Sequence, residues 1–121
     1  MSVSCEGYIG YTVTLKEDLN SDDFNFFNEF KEEHSEYNQY DCKGKVLLVT
    51  DGMCGEYARL VFVDEHIKEC WIEGKDYFSL KSPSLLIPDN VYTALDKAYS
   101  LMYQKDLDQI KIDYALWFQF S

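Results

Sequence analysis

Between Glu17 and Asp41 the chain carries nine acids, Glu17, Asp18, Asp22, Asp23, Glu29, Glu32, Glu33, Glu36 and Asp41, against one base, Lys31. That stretch holds a local charge of −8, out of a formal net charge of −11 for the whole chain. On a helix, Glu29, Glu32, Glu33 and Glu36 fall at i, i+3, i+4 and i+7 and share one side, where like charges destabilise by roughly a few tenths of a kcal/mol per pair. So one-sided a pattern reads as a surface for a basic partner, because interfacial charge steers encounter and suppresses wrong partners. It could also imitate the phosphate backbone of a nucleic acid. The plainer reading is a solvated face on an acidic protein. The partner-contact candidates are Asp22, Asp23, Glu29, Glu32, Glu33 and Glu36, joined by Tyr37 and Tyr40 because Tyr is favoured at interface hot spots.

Other chemistry finds less support. Nucleophilic catalysis needs a Ser or Cys with a base and an orienting group. The imidazoles on offer are His34, on the edge of a Phe stripe, and His66, read as part of a turn Asp64-Glu65-His66. Neither lies in a G-x-S-x-G context, and no G-x-x-x-x-G-K-[ST] or G-x-G-x-x-G loop is present to cradle phosphate. Cys5, Cys42, Cys54 and Cys70 contain no C-x-x-C pair and, with His66, match no zinc spacing, so they read as free thiols. Asp51, Glu56, Asp64 and Glu65 lack the pattern of an EF-hand loop and read as solvated turn residues. No metal, cofactor or catalytic activity is expected.

The totals bound the rest. At 121 residues the chain fits a single domain spanning 1–121, and 46% hydrophobic with 17% aromatic residues is enough for a packed core. Its 22 acids outnumber 11 bases, of which Arg59 is the one arginine. Such a chain is repelled by nucleic acids and anionic membranes, so neither is an expected direct partner. No apolar run reaches the roughly 18–20 residues of a membrane span. The N-terminal residues do not resemble a secretory signal, so a cytoplasmic location is expected.

These residues must be positioned by a small set of elements. Ile9, Tyr11, Val13 and Leu15 alternate with Tyr8, Gly10, Thr12 and Thr14, which predicts a strand over 7–15. Ser21 is the expected N-cap of a helix from Asp22 to Glu36, with Phe24, Phe27, Phe30 and His34 on its apolar side. Val46–Val49 and Leu60–Val63 predict two strands about a turn at Asp51–Gly55. A further strand is expected over Ile67–Glu73, then a tight turn at Glu73-Gly74 into a short strand over Tyr77–Leu80. Val91, Leu95, Ala98, Tyr99 and Met102 mark a second helix running from Pro88-Asp89 to Lys105. Ile110 to Phe120 alternates cleanly and should be a terminal strand paired inside the sheet. Trp71 and Trp117 fall on strands and read as core or sheet-face residues. The outcome is an α+β fold, a two-layer sandwich of two helices on a mostly antiparallel sheet of five to six strands, in the order β-α-β-β-β-(β)-α-β.

In size, charge and lack of catalytic motifs the chain is similar to small acidic proteins encoded by phages and mobile elements. Some of those inhibit nucleic-acid-handling host enzymes, CRISPR effectors among them, by occupying basic grooves. The resemblance implies a non-catalytic inhibitor that binds a basic surface of a nucleic-acid-binding host protein. The alternative is a homo-oligomeric structural domain or sensor, with a small-molecule pocket between helix and sheet.

Overall fold

A computed structural model describes residues 5–38, 43–51, 57–68, 77–83 and 86–120. The alternating N-terminal residues form β1 (Cys5–Lys16), followed by helix α1 (Ser21–Glu33), β2 (Val46–Asp51), β3 (Tyr57–Lys68), β4 (Tyr77–Ser79), helix α2 (Asp89–Tyr103) and β5 (Ile112–Phe120). The five strands make one antiparallel sheet in the order β2-β3-β1-β5-β4. This is the expected α+β arrangement, with the terminal strand β5 inside the sheet between β1 and β4. Among the described residues no helix is long and apolar enough to cross a membrane.

Both faces of the sheet are buried. On one, Tyr11, Val13, Leu48 and Leu60 meet Phe27 and Phe30 of α1 and Leu95, Ala98 and Tyr99 of α2. Each such side chain, fully buried, contributes roughly 1.5–3 kcal/mol relative to exposure. On the other, Leu47, Val49, Val61, Val63, Ala115 and Trp117 form a second cluster. That face is strongly coiled. Phe118 pairs with Gly7, and Gly7 with Ile67, so in a flat sheet Phe118 would lie ten residues along β3 from Tyr57. At about 3.3 Å per residue that is about 33 Å. Yet the Tyr57 hydroxyl donates to the Phe118 carbonyl at 3.0 Å. Irregularities in the β1–β3 register at Ile9/Gly10 and Thr14/Lys16 supply bends, as an extra residue in one strand does.

Several boundaries differ from the sequence expectation. Asn20, not Ser21, caps α1: its side chain accepts from the Asp23 N–H at 2.9 Å, and the Asp23 carboxylate accepts from the Asn20 N–H at 3.0 Å. The helix stops at Glu33, and Ser35–Tyr37 form a separate 3-10 turn, so Glu36 leaves the helical face. No turn occurs at Asp64-Glu65-His66. β3 continues through this stretch as a strand paired with β1, with Asp64 the extra residue of the irregularity between Val63 and Glu65, and the Asp64 carboxylate accepts the Tyr114 hydroxyl at 3.0 Å. The strand expected over Ile67–Glu73 is therefore the tail of β3 as far as Lys68. Residues 69–73 lie outside the described residues, as do Trp71, the Glu73-Gly74 turn, Tyr40, Asp41, Glu56, residues 52–55, Cys42, Cys54 and Cys70. α2 ends at Tyr103 because Gln104 adopts a left-handed φ of 58°. Ile110 sits in a 3-10 turn, Gln109–Lys111, and β5 starts after it.

Gly10 shows what the coiling requires. A Cβ there would run into the backbone carbonyl of Phe62. Gly44, by contrast, has open space around it and needs glycine only for its φ of 77°. Gly10→Ala should therefore lower the unfolding free energy by about 3 kcal/mol or more, at the severe end of overpacking. Gly44→Ala should cost only about 1–2 kcal/mol, from backbone strain. Urea denaturation of both variants checks the order; a Gly10→Ala midpoint equal to wild type would rule out the close approach.

Candidate functional site

α1 presents its acids to solvent. Asp22, Glu29, Glu32 and Glu33 are exposed, and none makes an ion pair among the described residues. Glu36 is also exposed, 3.7 Å from His34. The single base of the segment does not offset them. Lys31 turns toward the sheet, half-buried, and its amine donates to Thr50 Oγ1 at 2.8 Å. Burial lowers its pKa from the usual lysine value.

Two candidates have other work. Asp23 closes the capping box and pairs with Lys16 at 2.9 Å. The Asn20 N–H first, and Lys16 second, hold its carboxyl below the ordinary Asp range. Tyr37 is a correction: it is buried in the helix-side core and stacks on Phe30 with ring centroids 5.7 Å apart. An aromatic four residues past the end of α1 can reach back onto the helix's apolar side, so its ring packs inward. Tyr40 lies outside the described residues.

Beside the acids runs a shallow groove of about 140 Å³ between α1 and α2. Phe26 and Leu101, 42% and 45% exposed, give it apolar walls, and Glu29 and Glu33 stand on its rim. Sequence periodicity marked the buried side of each helix but not this join, which depends on how the two helices lie together. A second, open cavity of about 420 Å³ lies between the 3-10 turn, β2 and α2. Tyr37, Val46 and Ala94 line it, and Glu36, Lys45 and Lys97 surround it. This is a space between helix and sheet of the kind the sensor reading needs.

The coiled face assembles residues that the sequence reading set aside. The ring of Tyr8 stacks on His66, with centroids 4.6 Å apart and planes 3° apart, and on Trp117 at 4.8 Å. The Tyr8 hydroxyl donates to Glu6 Oε2 at 3.0 Å. His66 Nε2 is 3.5 Å from the same oxygen, within ion-pair range but too long for a good hydrogen bond. His66, read as a turn residue, is thus a strand residue beside a carboxylate. Its neighbours are a cavity of about 210 Å³ that also takes in Lys31, Leu47 and Val49. Farther along the same face, Arg59 is buried with its guanidinium carbon 3.7 Å from the ring centre of Tyr57 and 4.6 Å from that of Tyr77. The signal for it was a lone arginine at alternate spacing with Tyr57, Val61 and Val63, on the side of the strand that reads as core.

A carboxylate–imidazole pair can hold or move a proton, but none of the described hydrogen bonds places a Ser, Thr or Cys nucleophile against His66. Among the described residues no three His, Cys, Asp or Glu side chains gather to hold a metal ion. Comparison with protein-family models, curated proteins and solved structures finds no match to this chain.

Partly buried tyrosines give the molecule an alkaline signature. Burial raises Tyr103 to about 12, helped by Tyr99 and Asp23, and burial raises Tyr114 to about 12, helped by its bond to Asp64. Tyr77 is pushed up further still, by burial and by Asp113. A raised folded-state value means that the unfolded chain loses its phenolic protons first, near pH 10. Their stabilisation is intact below pH 10 and is lost as pH rises toward about 12. The urea midpoint should therefore fall between pH 10 and 12, and less steeply in Tyr114→Phe. A midpoint flat over that range would contradict the burial of these phenols.

Proposed function

We propose that the chain is a non-catalytic binding protein whose exposed α1 acids dock on a Lys/Arg-rich protein surface, such as the nucleic-acid groove of a host protein. The observation that carries this reading is the orientation of Lys31. With Lys31 half-buried and its amine on Thr50, the acids Asp22, Glu29, Glu32 and Glu33 have no ion pair with a base of their own helix. A face meant only for solubility does not need its one base removed. Phe26 and Leu101 add the second ingredient, since interface energy concentrates in a few apolar or aromatic anchors ringed by polar residues. The contact set is accordingly Asp22, Glu29, Glu32, Glu33 and Glu36 around Phe26. Asp23 and Tyr37 hold the element in place. A cytoplasmic setting goes with this reading, because the partners it describes act there.

The reading is tested with matched baits. Wild type, Glu29→Lys/Glu33→Lys and Phe26→Ser are immobilised and exposed to the same low-salt lysate. A partner retained by wild type should bind the charge-reversed bait at least tenfold more weakly, with a shallower salt dependence, because rim charges set the encounter rate. Phe26→Ser should weaken it at all salt concentrations. Identical capture by all three baits would sink the proposal. Circular dichroism of the baits separates lost binding from lost folding.

A further inference from the structure

We propose that the open cavity between the 3-10 turn, β2 and α2 is a binding site for a small organic carboxylate with an apolar body. The join is left unfilled where α2 offers β2 only the methyl group of Ala94. Its volume of about 420 Å³ falls within the roughly 300–1,000 Å³ of small-molecule pockets, whose walls are mostly apolar with a few polar groups that fix orientation. The wall here is of that kind. Tyr37 and Val46 are 7% and 6% exposed and belong to the helix-side core, and Ala94 packs against it half-buried.

Tyr37 supplies a polar group that the core packing leaves over. Its ring is fixed on Phe30, yet its hydroxyl makes no hydrogen bond to any described residue. A phenol in so buried a residue normally finds a partner. This hydroxyl is not sealed from solvent, so it is open to an occupant of the space that Tyr37 lines. Charge decides the class of that occupant. Lys45 and Lys97 stand exposed around the cavity, and Lys97 makes no ion pair among the described residues. The one acid beside them, Glu36, lies 3.7 Å from His34. Two amines against one carboxylate make this rim positive in a chain of net charge −11. Lysine carries its charge on a flexible four-carbon stem, so both amines can swing onto one headgroup. A carboxylate takes those amines and the Tyr37 hydroxyl as donors, while its apolar body covers Val46 and Ala94. Exposed ion pairs alone are weak, so the apolar body has to supply part of the binding.

The probes are benzoate, hexanoate, acetate and the neutral benzyl alcohol. Each is titrated into the full ¹⁵N-labelled chain at an ionic strength held constant with sodium chloride, and followed by nuclear magnetic resonance. The expected result is saturable movement of the Tyr37, Val46 and Ala94 amide signals by benzoate or hexanoate, with acetate and benzyl alcohol at least about tenfold weaker. Saturation by benzoate alone identifies a ring as the body, and by hexanoate alone a chain; either supports the proposal. No saturable movement with either acid overturns it. So does equal binding of acetate or benzyl alcohol, or saturation that leaves those three signals unmoved. Tyr37→Phe keeps the ring and loses the hydroxyl, and should bind the better acid about tenfold more weakly. Lys97→Glu, at an exposed position, should bind it about fivefold more weakly. Unchanged affinity in either variant overturns the assignment. The titration needs no protein partner, so this site stands or falls apart from the docking of α1.

Discussion

The constraint on which the rest depends is that, among the described residues, one five-stranded sheet has two apolar faces and only two α-helices, both packed on the same face. Leu47, Val49, Val61, Val63 and Trp117 are as thoroughly buried as the helix-side residues Val13, Leu48 and Leu60. The coiling of the sheet answers part of this demand, bringing Tyr57 at the start of β3 onto the carbonyl of Phe118 near the end of β5. Coiling that tight needs β1 to bend and β3 to approach it closely. Hence β1 carries register irregularities along its length, and Gly10 stands where the Phe62 carbonyl leaves no room for a Cβ.

Folding a face inward also encloses whatever polar residues it carries. Thr12, Glu6 and Arg59 belong to that face by strand alternation, and His66 joins them because the extra residue Asp64 shifts the register of β3. Each has a different resolution. Thr12 accepts from the Trp117 indole at 3.3 Å, and Glu6 holds Tyr8 while standing beside His66. Arg59 has aromatic faces around it but no acceptor in its plane. Sequence positions that a propensity argument passes over, one Arg and one His in β3, become chemically distinctive groups once the face folds inward.

The legible part of the sequence was the part governed by local periodicity. Tyr11-Val13, Phe27-Phe30 and Val91-Leu95-Ala98-Tyr99-Met102 are buried as expected, because one strand or helix period determines them. By contrast, β1 and β5 also bury their opposite sides through Tyr8, Thr12, Ala115 and Trp117, and Ile110 is exposed. Errors occur where a local polar signal competes with long-range pairing. Asp64-Glu65-His66 looks like a turn, yet it stays in β3 because ten β1–β3 partners hold the strand and Tyr114 gives Asp64 a bond. Ser21 looks like the cap, but Asn20 and Asp23 can satisfy each other's N–H groups and Ser21 cannot make that reciprocal pair with them. Tyr37 looks like an interface residue, and only the helix end at Glu33 turns it back onto Phe30. The acids of α1 were legible as exposed. The groove beside them and the enclosed cation were not, because both depend on contacts between elements far apart in the chain.

The two polar features of the fold are electrostatically complementary to each other and to the chain's net charge. Exposed acids on α1 interact through water and salt, which screen them beyond about 8–10 Å, so their field is confined to the neighbourhood of the surface. Arg59 and the donors near Tyr8 lie behind the sheet, where effective dielectric is lower and each interaction is stronger. Lys31 joins the two regions. Its backbone belongs to the acidic helix, while its amine points to Thr50 and the cavity. Turning that half-buried base toward Thr50 leaves the exposed side of α1 more acidic and brings a positive charge to the wall of the cavity. The same side-chain orientation thus sharpens both the outer acidic face and the inner donor-rich cavity, which is why neither is an accident of composition alone.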